Sequence, residues 1–160
     1  MRTVALALLL ILLSGCEALR PQPEMGINPR IAARGDQRSP SLARNGLVWI
    51  APAPSGSGQL QVRWFDLQRG MGAPLLGLNR PDARPISVSS DARGQRIALV
   101  RSVEGRTELL LYERTLMTLR PLRLVPPGVP ARVALSADGR SLAVQVSRQG
   151  RWQVEILQLP

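Results

Sequence analysis

The chain has 160 residues and a formal net charge of +10, and its 21 basic residues are all arginine. With no histidine, a Ser-His-Asp or Cys-His relay and imidazole-ligated zinc are excluded. With no lysine, a Schiff base and a phosphate-loop lysine are excluded as well. The length suits a single domain.

Met1-Arg2-Thr3 is a short positive start, and Val4 to Leu13 is an unbroken apolar run. At about 1.5 Å per residue a helix over that run reaches about half of a bilayer's hydrocarbon core, so a secretory signal fits better than a spanning helix. The run ends in Leu13-Ser14-Gly15-Cys16, which contains the chain's only cysteine. This segment resembles the lipobox of bacterial lipoproteins. The resemblance implies cleavage before Cys16, a diacylglycerol (palmitate-type acyl chains) on its sulfur, and attachment to a membrane through that lipid. Residues 1–15 are then the signal peptide. Glu17 follows the cysteine where aspartate is associated with inner-membrane retention, so the outer membrane facing the periplasm is the expected location. A lone cysteine leaves no intramolecular disulfide.

Residues 16–38 read as a lipid-anchored linker. Pro21, Pro23 and Pro29 interrupt it, Gly26 and Gly35 loosen it, and no apolar periodicity survives there. From residue 39 to 160 short apolar stretches alternate with turns, and an all-β domain is predicted. Leu47-Val48-Trp49, Ile97-Ala98-Leu99 and Leu142-Ala143-Val144 are separated by 50 and 45 residues. Each follows a turn: Asn45-Gly46, Asp91 to Gly94, and Asp138-Gly139. A second strand repeats at Trp64, Leu111 and Ile156, spaced 47 and 45 residues apart. A period near 45 with several strands per unit is that of propeller blades. Four strands can be drawn in the second unit: Pro85–Ser89, Gln95–Ser102, Thr107–Arg114 and Met117–Arg123. The third unit stops after three. The prediction is a partial β-propeller of about three four-stranded antiparallel blades; an irregular β-sandwich is the alternative.

Ser136-Ala137-Asp138-Gly139-Arg140-Ser141-Leu142-Ala143-Val144 resembles the Ser-Pro-Asp-Gly-x-x-Ile-Ala-Phe motif of TolB-type propeller repeats. Ser90 to Leu99 is a looser copy with one inserted residue, and the first unit keeps only its Asn-Gly turn and apolar strand. The resemblance implies protein–protein interaction in the cell envelope, with peptidoglycan-associated or transport components as the class of partner. A closed propeller uses four to eight blades. Three blades could therefore pair with a second copy as a homodimer into six blades, stand with capped ends, or dock on a partner. Residues near Met25–Ile31 are a candidate for the missing outer strand of the third blade.

The turn residues Asn45, Gly46, Asp91, Gly94, Asp138 and Gly139 are expected to be structural, since Asn-Gly and Asp-Gly readily adopt positive φ. The arginines are dispersed at turns and strand ends, which predicts a solvated basic surface. Arg114, Arg120, Arg123 and Arg132 are the densest cluster. Trp49 and Trp64 are expected in the core, and Trp152, beside a glycine turn, at the surface. Arg114, Arg120, Arg123, Arg132 and Trp152 are therefore the candidate binding residues. No acid pair, calcium loop or nucleotide-binding glycine loop is recognisable, so no enzyme, metal or cofactor is predicted. The favoured function is a non-enzymatic interaction scaffold of the envelope. The alternative is a binder of anionic envelope glycan or lipid through arginines; nucleic acid is not an expected partner outside the cytoplasm.

Overall fold

The computed structural model describes residues 20–160. The lipobox-like segment with Cys16 lies outside the described residues. One helical turn, α1 (Asn28–Ile31), precedes eleven strands. The first sheet is β1 (Arg38–Ala43), β2 (Gly46–Pro52), β3 (Leu60–Asp66) and β4 (Met71–Ala73), hydrogen-bonded in that order. The second is β5 (Ala83–Ser90), β6 (Arg96–Val103), β7 (Arg106–Glu113) and β8 (Thr118–Pro121). The third has three strands, β9 (Val129–Leu135), β10 (Ser141–Arg148) and β11 (Arg151–Gln158). Every pair is antiparallel. The three sheets are successive blades of an open arc, as the repeat predicted.

The middle strands of the first two blades are largely apolar on both faces because both faces are covered. Between the first two blades, Val48, Ile50, Val62 and Trp64 meet Ile97, Leu99, Leu110 and Tyr112. Between the second and third, Ala98, Val100 and Leu109 meet Leu142 and Val144. The innermost strands β1, β5 and β9 each carry a register shift. Pro40, Pro85 and Pro130 stand at these shifts, where a strand tolerates a residue that cannot donate to the ladder.

The inner strands are also joined blade to blade by serine hydroxyls. Ser39 Oγ accepts from Val88 N at 2.9 Å and donates to Val88 O at 3.1 Å. Ser41 Oγ accepts from Ser90 N at 3.0 Å. Ser87 and Ser89 repeat the arrangement one blade later, accepting from Val133 N at 3.2 Å and Leu135 N at 2.9 Å.

Residues 25–31 do not form an outer strand of the third blade. They lie at the other end of the arc, where Ile27, Ile31 and Ala33 pack on Trp49, Ala51 and Phe65 of the first blade. The reason is geometric: one helical turn places Ile27 and Ile31, four residues apart, on one face. That apolar pair covers the face of β2 and β3 that no blade among the described residues occupies. Ile27, Ile31 and Ala33, within the segment read as a linker, thus belong to the folded unit, as does Arg38 at the start of β1.

Candidate functional site

The turns form the upper rim of the arc. Arg44 N donates to Ala92 O at 2.8 Å, and Ala92 N donates to Ala137 O at 3.0 Å, so corresponding turns of successive blades are linked. Gly94 (φ +64°) and Gly139 (φ +72°) adopt the left-handed conformation expected of them. Buried Asp91 accepts from Gln95 N at 2.8 Å and Arg96 N at 3.2 Å, closing its turn. Asn45 and Gly46 differ from expectation, for neither has positive φ. Gly46 is instead required by close approach: a Cβ there would overlap the Trp64 ring, as would one at Gly94.

Asp138 receives hydrogen bonds from the Ser136 hydroxyl and from Arg140 N at 3.0 Å. The Ser136 hydroxyl is the larger cause, and together they hold its carboxyl below the usual range. A depressed carboxyl contributes stability above its unfolded pKa of about 3.9 and loses it as pH falls through the folded value. Asp138→Asn is thus expected to lower the urea midpoint relative to the native chain at pH 7, and the gap should close by about pH 2. A gap of the same size at both pH values would refute the assignment.

Trp64, only 4% exposed, is the joint between the first two blades. The Arg114 guanidinium lies 4.1 Å from its ring centroid, so this arginine is a packing element of that joint. Arg120 and Arg123 are exposed, on and just beyond the outermost strand of the second blade, whereas exposed Arg132 is on the innermost strand of the third. Arg120 and Arg123 are thus at the outer end of the fold and Arg132 at the inner end, with Arg114 in the joint, and the four do not converge on one patch. Arg132 instead joins Arg38, Ser39, Ile86, Ser87 and Ala131 around a shallow cavity of about 390 Å³ between the inner strands. Trp49 is buried and Trp152 is 59% exposed.

Trp152 begins a larger feature. Directly opposed residues of an antiparallel pair share a face. The pairs Gln145↔Arg132 and Ala143↔Ala134, with Ser147↔Trp152, Gln145↔Val154 and Ala143↔Ile156, therefore define one face of the third blade. It corresponds to the face with which each earlier blade meets the next, here called the forward face. Val154 is 72% and Ile156 70% exposed on it. The blade's other face is the one packed on the second blade, through Leu142 and Val144 with Leu157 alongside. The forward face was not singled out in the sequence. Its apolar residues alternate along β11 just as the corresponding residues of β7 do, and they are exposed because no other described strand packs on them.

Among the described residues there is no group of three potential metal ligands and no helix long and apolar enough to cross a membrane. The sequence matches no protein-family model and no curated protein. Among solved structures, the fold is similar to TolB from Acinetobacter baumannii, with a TM-score of 0.58 at 18% identity, covering 75% of this chain and 29% of that one. It is also similar to a chain in a complex of KlAtg21 with the coiled-coil of AgAtg16, at a TM-score of 0.51 and 14% identity, covering 76% and 39%. The chain thus spans less than a third of the TolB it matches and about two fifths of the other protein. At this level of identity the likeness is one of fold: three consecutive TolB-like propeller blades in an open arc.

Proposed function

We propose that this protein is a non-enzymatic interaction scaffold of the cell envelope, held by a lipid on Cys16 at the outer membrane and facing the periplasm. The observation that carries the interaction reading is the forward face of the third blade, where Trp152, Val154 and Ile156 stand uncovered at the end of an arc of stacked blades. Large aliphatic side chains exposed in a row mark a contact surface more often than isolated ones do. The fold likeness to TolB supports the envelope reading, together with the lipobox resemblance. The similar chain complexed with a coiled-coil supports protein binding by such blades.

A second reading, binding of anionic lipid or glycan, is favoured by exposed Arg120, Arg123 and Arg132, none of which has an acidic partner among the described residues. Salt separates the two, because attraction between exposed charges is screened beyond about 8 Å at physiological ionic strength. The tagged chain is recovered from detergent-solubilised envelope at low and at roughly 0.5 M salt, where the screening length is only a few ångströms. In parallel it is mixed with phosphatidylglycerol vesicles at both salts. Retention of a defined protein at high salt supports the scaffold. Vesicle binding that collapses at high salt, with no protein retained, supports the second reading and refutes the first.

A further inference from the structure

The internal repeat shows what the forward face of a blade does when another blade follows. In the first blade it presents Ser39 and Ser41 from the inner strand and Val48, Ile50, Val62 and Trp64 from the next two. The second blade presents Ser87 and Ser89, then Ala98, Val100, Leu109 and Leu111. The third blade keeps the aliphatic part on its third strand, with Val154 and Ile156 where the second has Leu109 and Leu111. Its inner strand departs from the pattern. Arg132 and Ala134 replace the two serines whose hydroxyls receive the next strand's amides, and Gln145 replaces Val100. The face has lost the groups that stitch a blade and kept the apolar row that needs a cover.

The opposite end of the arc shows what covers such a face when no blade does. There the chain supplies one helical turn, with Ile27 and Ile31 against Trp49 and Phe65. At the third blade the cover has to satisfy Arg132 too, which is exposed and has no ion-pair partner among the described residues. The forward-face positions of β9, β10 and β11 include no aspartate or glutamate. A second copy meeting this face with the same face would therefore bring no acid to Arg132. The net charge of +10 on the whole chain points the same way.

Resting on the interaction reading above, we propose that the forward face of the third blade is a docking site for an acidic amphipathic helix of another protein. Two aliphatic side chains, four residues apart, lie along Val154 and Ile156, and a carboxylate meets Arg132. Trp152 borders the site as an aromatic anchor.

The test places the photoreactive residue benzoylphenylalanine at position 154 of the full chain, in the cells that make it. After irradiation, the attached peptide is mapped by mass spectrometry. The expected adduct is a segment of another protein carrying aliphatic residues four apart and an aspartate or glutamate on the adjoining turn. Arg132→Glu in the same chain should lower the adduct yield at least about tenfold, because like charges placed opposite each other across an interface are strongly disfavoured. Arg106→Glu, at the start of the third strand of the second blade, should leave the yield unchanged. Both side chains are exposed, so an unchanged melting temperature shows that the variants are folded. An adduct with a second copy, an adduct with lipid, or a yield indifferent to Arg132→Glu would each overturn the proposal. If position 154 gives no adduct while a protein is still retained at high salt, the scaffold reading stands and this docking site does not. If no protein is retained either, both fall.

Discussion

Trp64→Ala is expected to lower the unfolding free energy by about 3–5 kcal/mol, the range for removing a large buried aromatic side chain. The indole fills the joint between the first two blades, with Gly46 and Gly94 at its edges and the Arg114 guanidinium over its face. Its loss opens a cavity bounded by main chain, which cannot collapse as side chains can. It also strips Arg114 of the ring beneath it, while Arg114 Nη1 is already buried without a hydrogen-bond partner. Urea unfolding measures the effect, and Gly46→Ala supplies the internal control. That substitution drives a methyl into the ring in the native chain, so it should be far less damaging once the ring is gone. The double-mutant cycle should show a coupling of about 1 kcal/mol or more, as contacting residues do. Additive effects would mean that the indole is not what makes Gly46 necessary.

Leu142→Ala is expected to cost about 2–5 kcal/mol and, unlike Trp64→Ala, to act on one blade. Leu142 is fully buried, in the cluster that joins the third blade to the second. The third blade has a blade neighbour on one side only, and in stacked repeats an end unit depends on a single interface. Weakening that interface should release the end of the arc before the rest. Native-state hydrogen exchange should therefore show the amides of β9–β11 losing protection while those of β2 and β6 keep theirs. Uniform loss across all three blades would show that the arc unfolds as one unit.

The strand meanders were legible in the sequence because they follow local rules. Asp138-Gly139 and Asp91 to Gly94 set tight turns through a side-chain acceptor and a glycine at positive φ. The alternation of apolar residues between turns sets which side chains share a face. The period near 45 residues repeats that local solution three times, and stacking the units buries both faces of the middle strands in the first two blades. Pro85 and Pro130, also 45 residues apart, carried a further signal, since both stand at inner-strand irregularities. The serine pairs Ser39/Ser41 and Ser87/Ser89 repeat as well, although their spacing alone does not say whose amides they receive.

Only the tertiary structure decided what presses against each face, because that depends on which residues distant in sequence become neighbours. Gly46 reads locally as a hairpin glycine; it is the Trp64 ring, eighteen residues on, that leaves no room for a Cβ. Ile27 and Ile31 sit in a proline-broken stretch that looks like a tether, and they become a cap because the first blade offers them an uncovered apolar face. Arg114, Arg120, Arg123 and Arg132 are near one another in sequence, yet a meander carries successive strands outward and starts the next blade at the inside, which separates them. The sequence by itself determined that residues 38–158 form three successive antiparallel blades, through turn chemistry and apolar periodicity. The packing of those blades determined which of their faces is left bare, because a side chain becomes a binding element only where nothing else in the chain covers it.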